Sequence, residues 1–317
     1  GILNVAVGDR SLENNTTGSY NTALGGSALQ ANTTAYDNVA VGRNALLTST
    51  TAHSNTAVGV DALDGLTTGT NNVAIGHDAL TASGANTISY CTAVGDYALA
   101  NNTATYMAAF GAQALGDNTT GSQNTGIGFR SLRLNTTGSS NTAVGYDALY
   151  TNTTASGNTA VGRDALRLST GDANTAVGNW ALDANTTGVY NTAIGWGALT
   201  ECTTVNNCTA VGYKALEDNT AANNTAFGSE ALKDNTSGND NTGIGYEALK
   251  DNTTGSDLTA VGDNALANNT TASGNTAVGS QALLANTTGA DNTAVGFDAL
   301  DACTTGSNNV ALGKSAL

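Results

Sequence analysis

The sequence predicts an all-β fold, a parallel β-solenoid of about 18.6 coils, most of them 17 residues long. Three observations carry this: a period of 17 along the chain, a composition of small residues, and two positions of the period that never vary. The unit is N-T-A-V-G-x-x-A-L-x-x-N-T-T-G-x-x, first seen at Asn4 and last, incomplete, at Asn309. Fourteen of the 18 complete units have 17 residues, three have 16, and the one starting at Asn72 has 19. They leave no room for another domain, so residues 1–317 are expected to form a single continuous repeat region. The chain starts at Gly1 and stops at Leu317 inside a repeat, which is read as a fragment of a longer fibre protein.

The composition excludes several classes. There are 39 Gly but no Pro, and Gly does not recur every third residue, so collagen is ruled out. No apolar run reaches the ~18 residues of a membrane-spanning helix, and membrane insertion is not expected. Charged residues are 11% of the chain and the net charge is -15, which repels nucleic acid.

Each unit position then has a reading. N-T-A-V-G is rich in β-branched residues and ends in Gly, and N-T-T-G is turn sequence, so each unit carries a short strand and tight corners rather than a helix. Position 1 is Asn in 15 of 19 units, and its replacements are Cys91, Met107, Cys208 and Leu258. A solvent position would drift to Asp, Ser or Lys. The Asn residues, among them Asn141, Asn158 and Asn174, are therefore expected to be buried in a ladder of amides bonded from coil to coil. Thr or Val at position 2 and the apolar residue at position 4 are expected to point inward, and Ala at position 3 outward.

Position 5 is Gly in every unit, Gly145 and Gly162 included, which suits a corner of positive φ or close backbone approach. Position 9 is Leu in every unit, as at Leu149 and Leu166, and reads as core. Positions 3 and 8 are nearly always Ala, which reads as a close contact, with a partner chain as the candidate. Position 12, mostly Asn, is a weaker ladder.

The motifs N-V-A-V-G at Asn38–Gly42 and N-V-A-I-G at Asn72–Gly76 resemble the strand motif of trimeric autotransporter adhesin heads. N-T-A-V-G-Y-D-A-L-Y-T-N-T-T at Asn141–Thr154 is similar to repeats of phage and bacterial tail-fibre proteins. The resemblance spans essentially residues 4–317. It implies left-handed β-rolls, three chains per fibre, and adhesion or host recognition at a cell surface or virion tail. The 17-residue unit is longer than that of the adhesin heads.

The expected function is accordingly a non-enzymatic fibre or adhesin segment that gives reach and attachment. The alternative is a subunit of a self-assembling extracellular filament of coils stacked end to end. The partners would be copies of itself and a glycan or protein receptor. Aromatic residues at the variable corner, positions 6 and 7, are the candidate ligand contacts: Tyr146, Trp180, Trp196, Tyr213 and Tyr246. The competing reading is that these rings only stack on one another along the coils.

Little else points to chemistry, and neither a catalytic residue nor a cofactor or metal site is assigned. His53 and His77 stand in different units, and the motifs H-E-x-x-H, C-x-x-C and G-x-S-x-G are absent. Cys91, Cys202, Cys208 and Cys303 sit at ladder positions and read as buried thiols, with a Cys202–Cys208 disulfide as the alternative. Acidic residues stack at position 7, as in Asp61 with Asp78, Asp147 with Asp164, and Glu230 with Glu247. A cation could bridge such a pair, or salt and Arg163 or Lys214 could relieve it. N-T-T triplets at Asn15, Asn135 and Asn252 match the N-glycosylation pattern but also follow from the repeat. An ice-binding Thr plane is disfavoured, because adjacent Thr at positions 13 and 14 would face opposite ways in a strand.

Overall fold

A computed structural model describes residues 1–81 and 87–317. Ser83, a position-12 residue, lies outside the described residues. Nineteen strands of three residues each run from β1 (Val5–Val7) to β19 (Val310–Leu312), and the described residues contain no helix. The chain divides into two compact units, Gly1–Asn158 and Thr159–Leu317. The first holds β1 to β9 (Thr142–Val144) and the second β10 (Thr159–Val161) to β19. Within each unit every strand pairs in parallel with the next, one strand per coil. The fold is a β-solenoid, as expected.

Register is kept position for position, Ala on Ala, as in Ala40 with Ala57 and Ala193 with Ala210. The 16-residue coil between β10 and β11 (Thr175–Val177) still pairs Ala160 with Ala176. The missing residue is therefore absorbed outside the strand.

The inside and outside of the strand are the reverse of the sequence expectation. Position 3 points into the coil: Ala40, Ala143, Ala160 and Ala176 are fully buried. Positions 2 and 4 point outward, and Ile127, Ile194 and Phe227 are 41%, 40% and 55% exposed. The interior is too narrow for anything larger than a methyl group at position 3, because Leu at position 9 already fills it. At Gly126 an added Cβ would lie 3.0 Å from Ser131 Oγ and 3.3 Å from Leu115. Gly at position 3 here accompanies Ser in place of Ala at position 8, so the extra oxygen takes the space of the missing methyl. The near-constancy of Ala at positions 3 and 8 thus comes from the chain's own core, not from a partner chain.

Leu149 and Leu166 are fully buried, as expected of position 9. Both hold φ of 51°, in the left-handed region, as do the position-9 Leu residues generally. Such a conformation costs an ordinary side chain roughly 1–2 kcal/mol. Burial of a whole Leu side chain returns about as much or more. Gly145 has φ of 142° and Gly162 of 139°. A Cβ on Gly162 would sit 2.4 Å from the carbonyl oxygen of Gly178 in the next coil. Both reasons given for an invariant Gly therefore hold at once.

Two amide ladders complete the core. At position 1 the Asn Oδ1 accepts the backbone N–H of the next coil, and Nδ2 donates to a carbonyl 14 residues on. Asn141 accepts from Asn158 N–H at 2.9 Å and donates to Ala155 O at 2.8 Å. Asn174 accepts from Asn191 N–H at 3.0 Å and donates to Gly188 O at 2.8 Å. At position 12 each Nδ2 donates to the Oδ1 of the preceding coil, from Asn102 to Asn152 and again from Asn219 to Asn286. All of these residues are fully buried.

Candidate interaction surfaces

Two surfaces stand out, and the strand builds the first. Alternation along the strand forces positions 2 and 4 to one side once Ala faces inward. Position 2 is Thr or Val in every coil but one, where Ala108 stands, and position 4 is Val, Ile, Leu or Phe throughout. Neither position carries a charge anywhere, although the chain has a net charge of -15. Each unit therefore presents one uncharged sheet face of Thr and apolar side chains.

The second surface is the corner at positions 6 and 7, where the backbone turns after the constant Gly. In the first unit Tyr146 stacks on Phe129 at 5.6 Å and 26°, and the Arg130 guanidinium lies 5.0 Å from the Phe129 centroid. In the second unit Trp180, Trp196 and Tyr213 form one run. Trp180 meets Trp196 edge-on at 5.2 Å, and Trp196 lies flat on Tyr213 at 5.3 Å and 18°. Lys214 Nζ stands 5.6 Å from the Trp196 centroid. Tyr246 stands apart from this run, and its hydroxyl donates to Glu247, which pushes the phenol up from its ordinary pKa. Tyr146, Trp196, Tyr213 and Tyr246 are all exposed, Trp180 half so. The five residues named from the sequence therefore fall into one stacked trio and two separate sites. The rings do stack along the coils, yet each keeps an edge or a face in solvent.

A second aromatic row was not anticipated. Tyr20, Tyr90, Tyr106 and Tyr190 occupy the last position of their units, all with φ near 60° and all exposed. Tyr90 and Tyr106 stack at 5.5 Å, and Tyr36 stacks on His53 at 4.6 Å. The signal was the shared unit position of the four Tyr residues.

The ladder substitutions behave as small buried groups. Cys91, Cys202 and Cys208 are fully buried free thiols, and Cys303 is a free, partly buried one. No Cys202–Cys208 disulfide forms; Asn219 Nδ2 reaches both sulfurs, at 3.7 and 3.5 Å. Burial pushes the Cys91 thiol up to about 11 and raises those of Cys202 and Cys208 as well. Asn135 and Asn252 are buried with their amides spent on the position-12 ladder, which closes them to glycosylation in the folded chain. The Thr of positions 13 and 14 lie in a turn rather than a strand. Position-13 hydroxyls donate to the next coil, as Thr136 does to Thr153 O at 2.9 Å.

Most of the stacked acids at position 7 have a cation beside them. Lys250 Nζ sits 3.0 Å from both Glu230 and Glu247. Arg130 Nε donates to Asp147 at 2.8 Å, and Arg163 Nε lies 3.0 Å from Asp164. Arg163 is a relieving charge expected from the sequence, whereas Lys214, the other one expected, pairs with Glu217 at 2.8 Å.

No protein-family model matches the chain, and no curated protein matches it.

Proposed function

We propose that the chain is a non-enzymatic segment of an extracellular fibre, assembled from copies of itself through the outward face of its strands. The observation that carries this is the uncharged Thr and apolar face of each unit. Stable interfaces take about 800 Å² from each partner, which ten coils reach at about 80 Å² apiece. A solenoid whose coils are already complete can spend that face on a second surface without losing its own core. The resemblance to adhesin heads puts the number of chains at three. The corner aromatics stand on the turn that carries the variable residues, outside the strand that would form the interface. Exposed Trp and Tyr rings there suit the apolar faces of sugar rings, so the receptor class favoured is a glycan.

Light scattering tests the assembly, with three times 31.4 kDa expected. A mass of one chain removes the proposal, and a mass that grows without limit with concentration replaces it by end-to-end filament growth. A glycan-array comparison with Trp196→Ala and Tyr213→Ala tests the receptor. Binding lost in both variants supports the corner, and binding that survives both removes it.

A further inference from the structure

One corner adds an imidazole to the pattern of acid beside Arg, with Arg43 paired to Asp61 at 3.0 Å. At Asp61 and Asp78, stacked at position 7 of neighbouring coils, Asp78 has His77 beside it and accepts from the Tyr97 hydroxyl. Its Nε2 lies 3.4 Å from Asp78 Oδ2, and its Nδ1 lies 3.1 Å from Asp96 Oδ1 in the following coil. An imidazole differs from a guanidinium or an ammonium in one decisive respect: it carries a lone pair. In the tautomer that donates Nδ1–H to Asp96, the lone pair is on Nε2, on the side of Asp78.

We infer that Asp61, His77 and Asp78 form a binding site for a divalent transition-metal cation, with Asp96 orienting His77 from behind. One ligand atom from each of the three lies within 4.8 Å of the others. A tetrahedral ion with bonds of about 2.0–2.1 Å holds its ligand atoms roughly 3.3–3.4 Å apart, the separation His77 and Asp78 already have. Asp61, within 4.8 Å of the other two, would have to draw closer and leave its present partners to close the set. It is now shared by Asn44 Nδ2 at 2.8 Å and Arg43 Nη2 at 3.0 Å. The Arg43 side chain is largely exposed, so it can swing away as the cation replaces its charge. A carboxylate behind a ligating imidazole is the usual supporting arrangement of such sites. One nitrogen and two carboxylate oxygens suit zinc and its neighbours better than calcium, which takes six to eight oxygens.

The surroundings agree. Asp64 is held above the usual carboxylate range, first by its burial and then by the charges of Asp61 and Asp78. Four carboxylates therefore gather here around Arg43 and an imidazole. A bound cation would join three successive coils, through Asp61, through His77 and Asp78, and through Asp96.

The test is calorimetric titration of the 317-residue chain with zinc chloride, repeated with calcium chloride. One zinc ion per chain is expected, with calcium bound at least tenfold more weakly. His77→Gln and Asp78→Asn should each weaken zinc binding more than tenfold while circular dichroism stays unchanged. Asp96→Asn, a change to a positioning residue, should weaken it about tenfold and alter the Nε2 shift of His77 in nitrogen NMR. Glu230→Gln, at the corner bridged by Lys250, should change nothing. The inference is overturned by an absence of zinc binding, by zinc binding that survives His77→Gln, or by calcium binding as tightly as zinc.

Discussion

Ala193 and Ile194 are chain neighbours on one strand, β12 (Thr192–Ile194), yet the first is fully buried and the second 40% exposed. The smaller, less hydrophobic residue has the interior and the larger one the solvent. Size decides this rather than hydrophobicity. The coil interior is filled by a Leu and two Asn amides, which leave a strand only the space of a methyl group. The apolar residue is then left on the outside, on the half-apolar face that the proposed assembly would cover.

The largest effects should come from the inner side. Leu149→Asp places an unpaired charge in a closed core, and Ala143→Tyr overfills it. Each should cost several kcal/mol and remove the cooperative thermal transition seen by circular dichroism. Next comes the ladder. Asn141→Asp replaces the donor to Ala155 O by a buried carboxylate facing a carbonyl, and should destabilise by about 3 kcal/mol at neutral pH. The loss should shrink as the pH falls and the carboxyl is protonated, which a urea titration at two pH values would read.

Cys91 gives a pH dependence of the native chain. Its thiol ionises near 9 when unfolded and is pushed up to about 11 by burial. Below pH 9 both states are protonated and its contribution is intact. As pH rises from 9 to 11 the unfolded chain ionises first, and about 2–3 kcal/mol of stability is lost. Cys91→Ala should flatten that stretch of the stability curve. The smallest effect is a gain. Asn286 Oδ1 is buried and without a hydrogen-bond partner among the described residues, because Cys303 stands where the next ladder amide would be. Cys303→Asn should restore the partner and raise stability by about 1 kcal/mol in chemical denaturation.

Which parts of the molecule were legible follows from the same physics. Gly145 and Gly162 were readable because other residues do not tolerate the backbone angle, nor, at Gly162, the close approach of the next coil. The Asn ladder was readable from what replaced it, since Cys, Met and Leu stand only in buried places. The direction of the strand was not, because Thr-Ala-Val is apolar enough on either side to face either way. Nor did Leu149 announce its left-handed backbone, since Leu is no former of that conformation and only its packing holds it there. Among the corner residues, the Trp180, Trp196 and Tyr213 stack was visible in the unit alignment. The His77 corner was visible only as a pair of acids, because Asp96 reaches it from another coil.

The most direct measurement compares Ala193→Asp with Ile194→Asp by far-ultraviolet circular dichroism at room temperature. The expected result is that Ala193→Asp loses the sheet signal and Ile194→Asp keeps it, since the charge of the first is buried in the coil and that of the second stands in solvent on a chain whose own core is complete. Loss of the signal in Ile194→Asp, or its survival in Ala193→Asp, would contradict the assignment of the inner and outer faces.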